Sequence, residues 1–146
     1  MKNNIKGKVL NLFIAKDKKR ENENKILLNK NGILGDKFYG KNIHRSVLIV
    51  STHSYELVEQ NNIDINYGQL GENILIDYNP YHLKIGTQLK IDEVILEISQ
   101  KCTLCKSLSK VDHCLSDLLK DDRGIFAKVI QEGEIQKNSE INILDN

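Results

Sequence analysis

Leu89-Lys90-Ile91-Asp92-Glu93-Val94-Ile95-Leu96-Glu97-Ile98 is a pair of short apolar-rich runs parted by two acidic residues. Runs this short, rich in Ile, Leu and Val and split by a polar dipeptide, predict two strands joined by a tight hairpin. Upstream, Lys8–Ile14, Lys25–Leu28, Ser46–Val50 and Ile74–Ile76 have the same character. Downstream, so do Ile125–Ile130 and Glu140–Ile143. Ser51-Thr52 offers N-caps for a helix through Tyr55, Leu57 and Val58 that ends near Asn61-Asn62. Leu104, Leu108, Val111, Leu115, Leu118 and Leu119 recur at helical spacing and predict a second helical region. Lys16–Asn24, almost wholly charged or Asn, reads as a solvated loop. Many short strands with two or three helices, and no regular β-α alternation, predict a mixed α/β chain, mainly β, with its sheet curled into a barrel.

The 146 residues predict one domain, spanning 1–146, large enough to bury a core without staples. Lys and Arg number 21 against 20 Asp and Glu, leaving a formal net charge of +1. That balance gives no footprint for nucleic acid or an anionic membrane, so an anionic ligand would need a local basic cluster. No apolar run approaches the ~20 residues of a membrane span, and Met1–Gly7 shows no secretory h-region. Three cysteines, an odd number, fit a reducing cytoplasm better than a disulfide framework.

All three cysteines fall just beyond the Val94–Ile98 run, as Cys102-Thr103-Leu104-Cys105 and Asp112-His113-Cys114. Thiolates ligate soft metals or carry sulfur, and Lys101 and Lys106 beside them favour the ionised form. Residues alone leave several readings open. Cys105 is a reactive thiol at a strand-to-helix junction or a small hydrophobe heading a helix; Cys102 and Cys105 are a redox pair, or part of a zinc site with His113 and Cys114. Arg45 and Arg123 are candidate anion clamps, because a guanidinium grips phosphate through parallel donors, or else structural ion-pair partners. Asp36 sits in a Gly-Asp turn, and Glu72-Asn73 on a short loop suits the polar edge of a heterocycle or the satisfaction of buried backbone groups.

In order along the chain stand Gly32-Ile33-Leu34-Gly35-Asp36, His44-Arg45-Ser46-Val47, Gly71-Glu72-Asn73, Leu83-Lys84-Ile85-Gly86, Gln100 with Cys105, Arg123-Gly124-Ile125-Phe126-Ala127, and Glu132-Gly133-Glu134-Ile135. This series, from about Gly7 to Ile143, resembles the MOSC domain, the module named for the C-terminal part of molybdenum-cofactor sulfurases. Small standalone bacterial members are the most similar. The resemblance implies a MOSC-type β-barrel with a few peripheral helices, a bound molybdenum-pterin cofactor or a cysteine-borne sulfur atom, and a cytoplasmic setting. The family's reactive cysteine stands five residues after a strand-ending glutamine, which implies Cys105 as metal ligand or sulfur carrier, with Lys101 beside it. Arg45, Arg123, Asp36, Glu72 and Asn73 would line the cofactor site. Cys102 and Cys114 are additions whose roles do not carry over. The chain departs from the pattern at Phe38, where many relatives have histidine after Gly-Asp-x.

A chain of this length has no room for the pyridoxal-phosphate domain that frees sulfur from cysteine, so sulfur would come from a separate cysteine desulfurase. Alternative expectations are a small molybdenum oxidoreductase reducing N-hydroxylated compounds with electrons from a separate reductase, and a cofactor-free or zinc-stabilised binding module.

Overall fold

A computed structural model describes residues 5–102 and 115–144. The strands are β1 (Ile5–Ala15), β2 (Arg20–Glu23), β3 (Lys25–Asn29), β4 (Gly32–Ile33), β5 (Val47–Ser51), β6 (Ile74–Ile76), β7 (Gln88–Ile91), β8 (Val94–Lys101), β9 (Ile125–Gln131), β10 (Gly133–Gln136) and β11 (Glu140–Leu144). Helix α1 spans Thr52–Gln60, with shorter helical turns at Ile43–Arg45 and Leu115–Leu118.

Among the described residues the sheet runs β11-β7-β8-β9-β5-β6-β1-β2, and β11 also pairs with β1. That second pairing closes seven strands into a barrel and leaves β2 as an extension beyond β1. The eleven residues of β1 serve three partners in turn: β11 at Ile5–Lys8, β6 at Val9–Leu12, and β2 at Leu12–Ala15. Irregularities in register between Ile5 and Gly7, and between Val9 and Asn11, bend the strand enough to do so. The only parallel pairing of the described strands, β5 with β6, is bridged by α1 and the loop after it. The hairpin expected at Asp92-Glu93 is β7–β8, with Asp92 in the left-handed region at φ 55°. A smaller sheet, β10-β3-β4, lies apart from the barrel sheet in its hydrogen bonding.

All five residues of β5 are buried, which explains its unbroken apolar character. Val47 and Ile49 join the barrel interior with Leu12, Ile74, Leu96 and Ile125. Leu48 and Val50 face a second core with Tyr55 and Val58 of α1, Leu70, Cys102, Leu115 and Phe126. Helix α1 starts where the sequence places it: the Ser51 hydroxyl accepts from the His53 amide at 3.1 Å.

Two expectations need correction. Lys16–Asn24 is not simply a solvated loop, because Arg20–Glu23 pairs with Leu12–Ala15 as β2. A peripheral strand held by backbone hydrogen bonds needs no apolar face, so its polar sequence concealed it. Glu132–Ile135 is more than punctuation, since Gly133–Gln136 pairs with β3 as β10. Of the expected second helical region, Leu115–Leu118 is helical; Leu104, Leu108 and Val111 lie outside the described residues.

Candidate functional site

Arg123 immediately precedes β9, and the chain on either side of it is pinned. The Ser54 hydroxyl of α1 donates a very short hydrogen bond to the Asp122 carbonyl. That use of its proton leaves Ser54 to accept from the Tyr81 hydroxyl at 2.6 Å, and Tyr81 in turn accepts from the Ser51 amide at 2.8 Å. Burial pushes the Tyr81 phenol up to about 12, so it remains protonated for this task. On the other side, the Cys102 amide donates to the Gly124 carbonyl at 3.0 Å. Gly124 has φ +148°, and a Cβ there would stand 3.1 Å from the Ile49 carbonyl oxygen. The strand thus starts hard against β5, and the arginine before it is held in place.

The Arg123 side chain is only 4% exposed, yet its Nε and Nη1 have no hydrogen-bond partner among the described residues. It opens on a cavity of about 580 Å³. Leu48, Phe126, Phe38 and Cys102 supply apolar or sulfur-bearing wall, while Arg20, Lys37, Lys41, Arg45 and Arg123 bring positive charge. No carboxylate lines the cavity among the described residues, and none of these five cations makes an ion pair with a described carboxylate. Arg45 lies over the Phe126 ring, 4.7 Å from its centroid, and Lys37 stands 5.1 Å from the Phe38 centroid. A chain of net charge +1 therefore concentrates cations at one place.

Arg20 reaches the cavity from β2. Its Nη1 donates to the Glu72 carbonyl oxygen at 3.3 Å. Burial pulls its guanidinium below the usual arginine range; Asp36 and Glu72 oppose that shift, and Arg123 adds to it. Gly71 lies between the two arginines, at φ +89°. A Cβ on Gly71 would sit 3.5 Å from Arg123 Nη2 and 3.6 Å from Arg20 Nη2.

The residues singled out from the sequence divide into two groups. Arg45, Arg123 and Asn73 line the cavity. Asp36 and Glu72 are buried behind it and are engaged within the protein. Asp36 Oδ1 accepts from the Ala15 amide at 2.7 Å and from Asn73 Nδ2 at 3.1 Å, and its Oδ2 accepts from the Phe38 amide at 3.1 Å. The carboxylate of Glu72 lies 2.7 and 2.6 Å from the Tyr55 hydroxyl and accepts from the Gly68 amide at 3.0 Å. Asn73 also spends its amide internally, accepting from the Leu48 amide at 3.0 Å and donating to the Phe13 carbonyl at 3.2 Å. Lys101 is exposed and does not line the cavity, nor does His44. Cys105, Lys106, His113 and Cys114 lie outside the described residues. Cys102 is buried and contributes to the cavity wall.

Sequence reasoning missed Arg20, Lys37 and Lys41. Lys37 adjoins Phe38, the departure already noted, which was the available signal for it. Nothing in the charged run from Lys16 to Asn24 distinguishes Arg20 from its neighbours. Its place follows from the Ala15–Arg20 register of the β1–β2 pair.

A seven-strand barrel carrying a cation-lined cavity beside the start of β9 is the architecture of a MOSC domain, and residues 33–142 match that domain. The chain belongs to the MOSC domain family. Its fold is similar to that of the YuaD protein from Bacillus subtilis, at 19% identity and a TM-score of 0.81 over 92% of this chain and 93% of that one. It is also similar to YiiM from Escherichia coli, with 15% identity and a TM-score of 0.70 over 95% and 70% of the two chains. YiiM from Geobacillus stearothermophilus gives 13% identity and a TM-score of 0.68 over 97% and 74%. No curated protein matches the sequence. No helix among the described residues is long and apolar enough to cross a membrane.

Proposed function

We propose that this MOSC protein holds a phosphorylated molybdenum-pterin cofactor in the cationic cavity and that Cys105 is its working thiol, as metal ligand or sulfur carrier. The observation that carries the reading is Arg123, almost wholly buried, with two guanidinium nitrogens unpartnered among the described residues and facing a cavity without a lining carboxylate. A buried polar group left unmatched costs stability, so a charged one aimed into a cavity implies an anionic partner. The donor set fits such a group: guanidiniums for a phosphate, and the Phe38 and Phe126 faces for a heterocycle. Bound there, the cofactor supplies a soft metal centre able to exchange sulfur or electrons. Arg45 and Arg123 bind and orient it, and the Asn73 amide fixes the strands that carry them. Sulfur reaches Cys105 from a separate cysteine desulfurase, and the protein works in the cytoplasm.

Anaerobic purification from cells that make the cofactor tests this. Molybdenum, pterin fluorescence and cyanide-labile sulfur are measured on the same preparation. Pterin should accompany the protein and fall in Arg123→Met. Bound molybdenum or labile sulfur should be lost in Cys105→Ser and kept in Cys102→Ser. A preparation carrying zinc but neither molybdenum nor pterin would refute the reading.

A further inference from the structure

We infer that Arg20 and Arg123 form a two-guanidinium seat, built around Gly71, for the dianionic end of a phosphate monoester. The inference deepens the cofactor reading and depends on it only for the identity of the natural ligand. Three observations converge. Arg123 is 4% exposed, with Nε and Nη1 unpartnered among the described residues. Arg20, on a different strand, commits one nitrogen to a backbone carbonyl and places another beside the same point in space. Gly71 presents bare backbone at that point, where the Nη2 atoms of both arginines lie within 3.6 Å of where a Cβ would be.

Two like charges converging on one glycine in a partly dehydrated site repel each other, and Arg123 does bear on Arg20 in that sense. The carboxylates near enough to oppose this, Asp36 and Glu72, face away into their own hydrogen bonds. A single negative charge would balance one guanidinium. A dianion balances both, and its three terminal oxygens match the parallel donors of two arginine forks. Lys37, Lys41 and Arg45 stand more exposed on the cavity lining and supply the attraction that draws an anion in. Arg20 is thereby a specificity residue for the form of the phosphate, separate from whatever occupies the remainder of the cavity.

The test uses the full chain stripped of metal and pterin, titrated calorimetrically at about pH 8 with phenyl phosphate as the dianion and dimethyl phosphate as the monoanion. Phenyl phosphate should bind at least about tenfold more tightly than dimethyl phosphate, a difference of ~1.4 kcal/mol. Arg20→Gln and Arg123→Gln should each lower phenyl phosphate affinity by about tenfold or more and erase most of the preference. The exposed strand substitution Lys90→Gln should change neither. Far-ultraviolet circular dichroism checks that each variant folds, and Arg123→Lys, which keeps the charge but loses the fork, serves if Arg123→Gln does not. Equal affinities for the two probes, or undiminished phenyl phosphate binding in folded Arg20→Gln, would overturn the inference. Failure of the cofactor reading is distinguishable: a protein that never carries pterin can still show this preference. Conversely, pterin loading untouched by Arg20→Gln with no monoester preference would leave that reading standing and remove this one.

Discussion

Glu72 exposes none of its surface, and its carboxylate meets the Tyr55 hydroxyl and the Gly68 amide. Burial, the dominant cause, raises its proton affinity above the ordinary value of 4.5, while the Tyr55 hydrogen bond works the other way. Burial together with the adjoining Glu72 also pushes the Tyr55 phenol far above its usual range, so it stays a donor. A carboxyl raised in the folded state binds its proton more tightly there than in the unfolded chain. Its contribution to stability is therefore complete below about pH 4.5 and is lost as pH climbs through the raised folded value. Glu72→Gln removes that titration while keeping the side chain's shape. Relative to the parent, its thermal midpoint should rise between about pH 4 and about pH 8, as followed by circular dichroism in matched buffers. Parallel midpoint curves for the two proteins would show that Glu72 does not titrate differently on folding.

Asn73 acts between elements. Its side chain links the end of β1 through the Phe13 carbonyl, β5 through the Leu48 amide, and the Asp36 turn. Its own backbone repeats the first two links, donating to the Leu48 carbonyl at 2.9 Å and accepting from the Phe13 amide at 2.8 Å. Asn73→Ala would strand a buried amide, a buried carbonyl and a carboxylate oxygen at once. The expected loss is about 2–4 kcal/mol in urea unfolding, even in protein without ligand. An Asn73 that served only to touch a ligand would instead leave that unfolding curve in place.

The same scale shows what a reader of the sequence can find. The strands that line the barrel, the Asp92-Glu93 turn and the Ser51 cap carry their own signatures in apolar runs and capping chemistry. Strands β2 and β10 do not, because backbone pairing holds them at the periphery and asks little of their side chains. The cavity followed suit. Arg45, Arg123 and Asn73 stand in ordered motifs, whereas Arg20 is one cation within a run of them, and only its pairing opposite Ala15 selects it. Asp36 and Glu72 stand in motifs too, but a motif does not show which way a carboxylate turns.

At the scale of the whole molecule, closure of the barrel is the step that makes these local choices cooperative. Strand β11 is its keystone in sequence terms: it comes last, and it seals both open edges, pairing Ile5–Lys8 of β1 and Gln88–Ile91 of β7. Ile141, with no exposed surface, lies opposite both Gly7 and Ile91 and fills the interior between them. Without it, β1 and β7 would both present free edges, and Val9, Leu89 and Ile91 would lose the cover of a closed wall. The cationic cavity lies beyond that seam, lined from β2, β5 and the start of β9, yet β1 joins the two by pairing with β11 at one end and β2 at the other. Removing residues 138–146 should therefore abolish cooperative unfolding and phosphate binding together, although every cavity residue named above is retained. Size-exclusion chromatography should find the shortened chain aggregated or expanded, and its urea transition should be broad where the full chain's is sharp. A monomeric truncated chain with a sharp transition would show that the barrel stands without its seam.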